Sequence, residues 1–279
     1  MAHPLAAKAI SAGRVKNDSV DAKTLAHLLR TNLLPEAWIA PAEIREARRL
    51  VRMRVSLVRM RSRLKCQVHA LCADAGVRVP VADLFGRGGR DLLAGLTLRP
   101  ITARRLAASL RLTEDLGREI LVADRELVAL YRGDERIRRL MPIPGIGFLT
   151  ATTIIAEVGD VSRFRSPEQL TSWTGLTPTE RSSADHTRRG HISKQGSRWL
   201  RWAMVEAAAK VGQAPGLKEF TAPIAERRGT KIARVALARR LLTLAFYALR
   251  DPDGCRAYPP VRRSSRSVPA RSPEVMASR

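Results

Sequence analysis

A polar run at residues 181–197, RSSADHTRRGHISKQGS, holds the residue types that handle phosphate. Ser182 and Ser183 offer adjacent hydroxyls. A hydroxyl attacks phosphorus only when another group takes its proton, and His186 and His191 are the nearby candidates. Arg188, Arg189, Lys194 and Arg198 would offset the charge of a phosphate. A polar phosphate-binding loop without covalent chemistry has the same composition, and composition alone favours that simpler reading. Zinc is not indicated, because the two histidines have no nearby cysteine or further ligand.

Two other stretches have chemical content. In KNDSVDA, Asp18 and Asp21 lie three residues apart, so on a helix both carboxylates point to one face. Paired carboxylates suit Mg²⁺, which takes oxygen ligands and keeps waters for a substrate phosphate. A capping Asp followed by a surface Asp is the commoner cause of that spacing. In IPGIGFLTATTII, residues 143–155, Gly145 and Gly147 permit a tight turn, and the amides opening the next helix can face phosphate. The pattern is similar to the helix-hairpin-helix of many DNA-binding proteins, where such contacts hold the backbone without reading bases. It also fits an ordinary packing corner between two helices.

The elements that must position these residues read as mainly α, with few alternating strand patterns and no internal repeat. Residues 1–42 hold one short helix starting near Asn17 or Asp18, with Ala22, Leu25, Leu28 and Leu29 on one face. Residues 43–135 form a helical arm. Its first helix runs from Ala42 to about Ala75, with Leu50, Leu57, Leu64 and Leu71 every seventh residue and Met53 and Met60 between them. That predicts an a/d seam, with Arg45, Arg48, Arg49, Arg52, Arg59 and Arg63 on other faces. A glycine-rich link, FGRGGRDLLAGLTLRP, leads to a second helix carrying Leu106, Leu110, Leu116, Ile120, Leu127 and Leu130, and the two helices should pack as an antiparallel hairpin. The arm is either a helical core or a coiled-coil arm for dimerisation or nucleic-acid contact. Residues 136–250 read as helix, turn, helix, loop, helix, connection, helix. Residues 251–279 are rich in Pro, Ser and Arg without apolar period, which predicts a basic disordered tail.

Charge narrows the partners. Fifty Lys and Arg against 26 Asp and Glu give +24 and a pI near 11.5. Such an excess favours a polyanion, since each neutralised phosphate releases a counterion; a ribosomal or membrane-surface protein would share it. Cys66, Cys72 and Cys255 form no CxxC pair, and no apolar run is long enough to span a bilayer, so a soluble cytoplasmic protein is expected.

Taken in order, HPLAAKAISAGRVKNDSVDAKTLAHLLR, the arginine-rich arm, and the string from Pro144 to Ala208 resemble the DEDD-type insertion-sequence transposases, the family numbered one-ten and related to a pilin-gene invertase. The resemblance implies a RuvC-like α/β domain, of which residues 1–42 would be a remnant, then the coiled-coil-like arm, then an α-helical transposase domain with the helix-hairpin-helix and a serine loop. It implies Mg²⁺ held by Asp, Glu, Asp and Asp, with Asp18 and Asp21 matching the last two, and Ser183 as the nucleophile. Gly145, Gly147, Arg188, Lys194 and Arg198 would hold DNA. It further implies a structured guide (bridge) RNA and a homo-oligomer. Two departures stand out. Ala184 follows the serine where the family usually has glycine, and none of the seventeen residues before Asp18 is acidic. The expectation is therefore an N-terminally shortened transposase with impaired metal binding and catalysis. A non-catalytic DNA- or RNA-binding protein, or a basic scaffold dimerising through the Leu50–Leu71 seam, are the competing readings.

Overall fold

The computed structural model describes residues 17–34, 37–183, 186–211, 214 and 216–251. They divide into two units, Met1–Ala47 and Arg48–Arg279. In the first, α1 (Asp18–Arg30) starts where the Asn17 side chain accepts the Val20 amide at 2.8 Å. That capping bond satisfies one of the orphan donors of the first turn. At the other end Asn32 takes φ 54°, which lets the amides of Leu33 and Leu34 return to the Leu28 carbonyl. Of the expected apolar face only Leu28 is buried; Leu25 and Leu29 are 42% and 67% exposed.

The arm contains α2 (Ala42–Asp74), α3 (Arg87–Ala94) and α4 (Pro100–Leu130). Proline at the first position suits the start of α4, because its missing N–H would have had no partner there. Arg54 on α2 pairs with Asp124 on α4 at 2.8 Å, while Val68 packs in one cluster with Leu106. As the position rises along α2, its partner falls along α4, so the two helices run antiparallel. The glycine-rich link is not featureless. It contains α3, and a side chain at Gly89 would overlap the Leu84 backbone, so the close approach requires glycine.

The heptad seam is corrected. Met53 and Met60 are exposed, and the buried positions are Ala47, Val51, Val55, Val68, Leu71 and Cys72, with Leu50, Leu57 and Leu64 half-buried. A coiled-coil seam serves one partner, whereas α2 has two. One side meets α4; the other sends Arg48, Arg52 and Arg59 into the C-terminal body. The apolar row is rotated to suit both.

The body follows as α5 (Glu135–Leu140), α6 (Phe148–Val158), a 3₁₀ turn at Val161–Arg163 and α7 (Pro167–Trp173). Then come β1 (Pro178–Ser183), β2 (His186–Ile192), α8 (Arg198–Lys210), α9 (Leu217–Arg228) and α10 (Thr230–Arg250). Helix α10 is the central post, packing on α5, α7, α8 and α9. Its Leu241, Leu242, Ala245 and Phe246 are fully buried, as are Ile154, Leu170, Leu200 and Met204 from its neighbours. Each large side chain in that set contributes about 1.5–3 kcal/mol by leaving water. Helix α6 is buried from Ala151 through Val158, as its nearly unbroken apolar sequence demands.

Two further expectations change here. The stretch read as a serine loop is a two-stranded antiparallel hairpin, and the connection before the last helix contains α9, with Pro223 inside it. Of the tail expected at 251–279, all but Asp251 lies outside the described residues, as does Ala184. Among the described residues no helix is long and apolar enough to cross a membrane.

Candidate functional site

The hairpin that carries Ser183 is fixed at its base and projects from there. Helix α7 ends at Trp173, and Gly175, at φ 70°, turns the chain into β1. After β2 the chain returns through Lys194 at φ 55° and Gly196 at φ 71° to Ser197, whose hydroxyl accepts the Leu200 amide at the start of α8. The outgoing and returning strands touch backbone to backbone. A side chain on Gly175 would overlap Gln195, and one on Gly196 would overlap the Trp173 carbonyl. The amides of Ser193 and Lys194 donate to the carbonyls of Thr177 and Gly175 at 2.9 and 3.2 Å. Arg201 then donates to the carbonyls of Thr174 and Gln195 at 2.7 and 3.1 Å, and burial pushes its guanidinium pKa down. The base is thus closed by glycine contact, a backbone ladder and one arginine.

Along the hairpin, Thr179 donates to the His191 carbonyl, and Gly190 leaves room for the Thr179 hydroxyl. The register pairs Glu180 with Arg189, Arg181 with Arg188, Ser182 with Thr187 and Ser183 with His186. Ser183 and the candidate base His186 are therefore directly opposed at the tip. Directly opposed residues in antiparallel strands lie about 4.5–5.5 Å apart at Cα. Arg188 stands two pairs below, opposite Arg181. Lys194 and Arg198 are at the base, roughly 17 Å from Ser183 at ~3.3 Å per strand residue. Both are exposed, and the Arg198 guanidinium lies 4.8 Å from the Trp199 ring centroid. The hairpin brings Ser183, His186 and Arg188 together; it does not bring Lys194 and Arg198 to the serine.

The two glycines of the helix–turn–helix separate in role. Gly145, at φ 81°, lies where a side chain would collide with the Ala207 carbonyl of α8, so it is a packing contact. Gly147 is exposed, caps α6 without a side-chain hydrogen bond, and has open space where a Cβ would go. Only the second turns the start of a helix toward solvent. Asp18 and Asp21 are both exposed in the first turn of α1, in the other unit. Among the described residues no group of three or more His, Cys, Asp or Glu is placed to hold a metal ion.

Glu157 escaped the sequence reading. It is 1% exposed at the end of α6 and accepts both arms of Arg52 at 2.7 and 2.8 Å. It also accepts the Ser197 hydroxyl at 2.8 Å, while Arg48 donates to the carbonyls of Ala156 and Glu157 at 2.8 and 2.7 Å. Hydrogen bonding to the carboxylate holds Arg52 above its ordinary pKa; burial pulls Arg48 below it. One carboxylate therefore ties the arm, α6 and the cap of the helix that follows the hairpin. Further along α2, Arg59 lies over Trp199 and Trp202 at 4.8 and 5.4 Å. The available signal was a single acid in the otherwise apolar TATTIIAEV, with arginines at a four-residue spacing in the arm.

The amino-acid sequence has counterparts among known proteins. Residues 137–222 match the family model of the IS116/IS110/IS902 transposases, and residues 1–75 match the model of the DEDD transposases of IS110. The chain is 27% identical over 252 residues to the "Probable family 20 transposase" of Pseudomonas aeruginosa, covering 86% of this chain and 73% of that protein. It is 28% identical over 233 residues to the transposase for insertion sequence element IS1111A of Coxiella burnetii, covering 81% and 64%. A pilin gene-inverting protein of Moraxella bovis is 31% identical over 122 residues, 42% of this chain and 38% of that one. The class is an insertion-sequence transposase. The chain belongs to the IS110/IS116/IS902 family, and it spans less than two thirds of the length of several of the relatives it matches.

Proposed function

We propose that this chain binds DNA and cuts and joins strands through Ser183. The observation that carries the reading is the register of the hairpin, which opposes Ser183 and His186 at the end farthest from its base. In the step proposed, the Ser183 hydroxyl forms a bond to phosphorus as the bond from phosphorus to one deoxyribose oxygen breaks. The serine proton passes to His186, and the departing oxygen takes up a proton to leave as a hydroxyl. Arg188, two pairs below Ser183 and His186, offsets the phosphate charge. Lys194 and Arg198 at the base and the open start of α6 at Gly147 hold DNA backbone farther out. Gly145 serves that grip indirectly, by seating the turn on α8.

Asp18 and Asp21 fit a divalent ion to the extent of two carboxylates on one helix face, a pairing suited to Mg²⁺ with water in the remaining positions. When bound there, Mg²⁺ would supply a Lewis acid for phosphate oxygens. A guide RNA and assembly into a homo-oligomer belong to the same proposal, supported by the family membership and the +24 charge.

The test is a covalent adduct. Incubation with end-labelled donor DNA and Mg²⁺, with denaturing electrophoresis, is expected to give a protein-linked band that Ser183→Ala abolishes and Ser182→Ala leaves. An adduct retained in Ser183→Ala refutes the nucleophile. Duplex binding with no adduct under any metal condition, in the presence of the cognate RNA, establishes the non-catalytic DNA- or RNA-binding reading instead.

A further inference from the structure

The arm has a cleft that neither the hairpin nor the metal pair uses. Between the Arg54–Asp124 pair and the Val68–Leu106 cluster, α2 and α4 part, and α3 closes one end. The space is about 940 Å³, with a floor formed chiefly by Leu93, Leu106 and Leu110. Around it stand Arg61 and Lys65 from α2, Arg90 from α3 and Arg118 from α4. The one carboxylate in the lining, Glu114, already pairs with Arg90 at 3.6 Å. Thr113, also in the wall, spends its hydroxyl on the Ser109 carbonyl at 2.7 Å, so the floor asks for no hydrogen bond.

Gly117 is a second observation. It lies inside the 31-residue α4 and lines the cleft. A side chain there would meet nothing closer than Arg61 Nη1 at 4.0 Å. Glycine inside a helix costs roughly 0.5–1 kcal/mol against alanine, and no packing contact requires it. What the glycine does is keep the floor open.

We propose that this cleft takes an unpaired nucleotide of a single-stranded nucleic acid, with the base on the leucine floor and the phosphates on the cationic rim. A free inorganic anion would make no use of the apolar floor, and a duplex backbone would not enter it. An unpaired base has an apolar face and a charged backbone, which matches a floor and rim of these two kinds. Phe85 adds an aromatic wall at the end where Lys65 lies 4.4 Å above its ring. The proposal rests on the nucleic-acid reading given above and adds a site in the arm, remote in sequence from the serine.

The experiment measures fluorescence anisotropy of labelled 12-mer single strands, DNA in one arm and RNA in the other, with a duplex of the same sequence alongside. Gly117→Leu fills the floor and should raise helix stability, so loss of binding cannot be laid to unfolding. It and Lys65→Glu are expected to weaken single-strand binding about tenfold or more in whichever arm binds, and to leave duplex binding within twofold. Arg63→Glu, an exposed charge on α2 outside the cleft, is the control for general electrostatics. Unchanged single-strand affinity in Gly117→Leu, or an equal loss in Arg63→Glu, overturns the cleft while leaving duplex binding intact. Tight binding of an acidic amphipathic peptide that single strands fail to displace also overturns it. A parent chain that binds neither single strands nor duplex overturns the nucleic-acid reading as a whole.

Discussion

Removing the half-exposed member of the Arg52–Glu157 pair should damage the fold more than neutralising the buried member. Arg52 is 41% exposed at its side chain and Glu157 is 1%. In Arg52→Ala the carboxylate stays buried, keeping the Ser197 hydroxyl and the nearby Arg48 charge, and breaking a buried pair in this way costs about 3–5 kcal/mol. The remaining serine bond argues for the low end, about 3 kcal/mol. In Glu157→Gln no charge is left inside, and Arg52 can turn its guanidinium to water. That loss should be about 1–1.5 kcal/mol, the net worth of one ordinary hydrogen bond, because the amide keeps an acceptor for its neighbours. For 150–250 residues, about 2–4 °C accompanies each kcal/mol, so Tm should fall roughly 6–12 °C in the first variant and 2–6 °C in the second. The double variant should match Glu157→Gln alone, because the stranded carboxylate is gone. Thermal and urea unfolding followed by circular dichroism read all three. Equal losses in the two single variants, or a larger loss in Glu157→Gln, would refute the claim that a desolvated carboxylate dominates.

The glycines give a second contrast. Gly145→Ala and Gly196→Ala each place a side chain against backbone at positive φ and should cost more than about 2 kcal/mol, whereas Gly147→Ala should stay within about 0.5–1 kcal/mol, as urea midpoints would show. Hydrogen exchange in Gly196→Ala should rise first in the hairpin amides. Alkaline pH tests Tyr131, whose hydroxyl is pushed up to about 12 by burial from an ordinary 10. The unfolded chain then loses its proton first, so this contribution is whole below pH 10 and is lost as pH rises from 10 to 12. It amounts to about 2–3 kcal/mol at most by linkage. Tyr131→Phe should flatten that part of the stability–pH curve; an unchanged slope would show that other groups cause it.

Much of the helical framework was legible because its signals are local. Asn17 before an acidic first turn, Pro100 opening α4, and Ser197 before WLRW all mark helix starts by capping chemistry. The hairpin was not legible for a physical reason. PTERSS and HTRRGHI have no alternating apolar face, so the period-two signal of a half-buried strand is missing. Its pairing is set instead at the base, by contacts between Gly175, Gly196 and backbone far away in sequence. Helix α3 was hidden by glycines that lower propensity, one of which, Gly89, is required by packing. The leucine heptads of α2 misled because periodicity reports one stripe, and this helix answers to two neighbours. At the site, residue types left Ser182 or Ser183 and His186 or His191 open among several cations, the family resemblance singled out Ser183, and the strand register sets Ser183 opposite His186. The same spacing could not tell that Lys194 and Arg198 lie at the far end, nor that Gly145 faces protein.

A hairpin clamped at one end and carrying Ser183 at the other is a lever. With a reach of roughly 17 Å at ~3.3 Å per residue, a tilt of about 10° at the base carries the tip about 3 Å. That travel is comparable to the near-attack distance between reacting atoms, about 3–3.5 Å. The fulcrum is the junction of Trp173, Gly175 and Gly196 braced by Arg201, and Ser197 and Glu157 join it to the arm. A small rotation of α8 at that junction would thereby be magnified at Ser183.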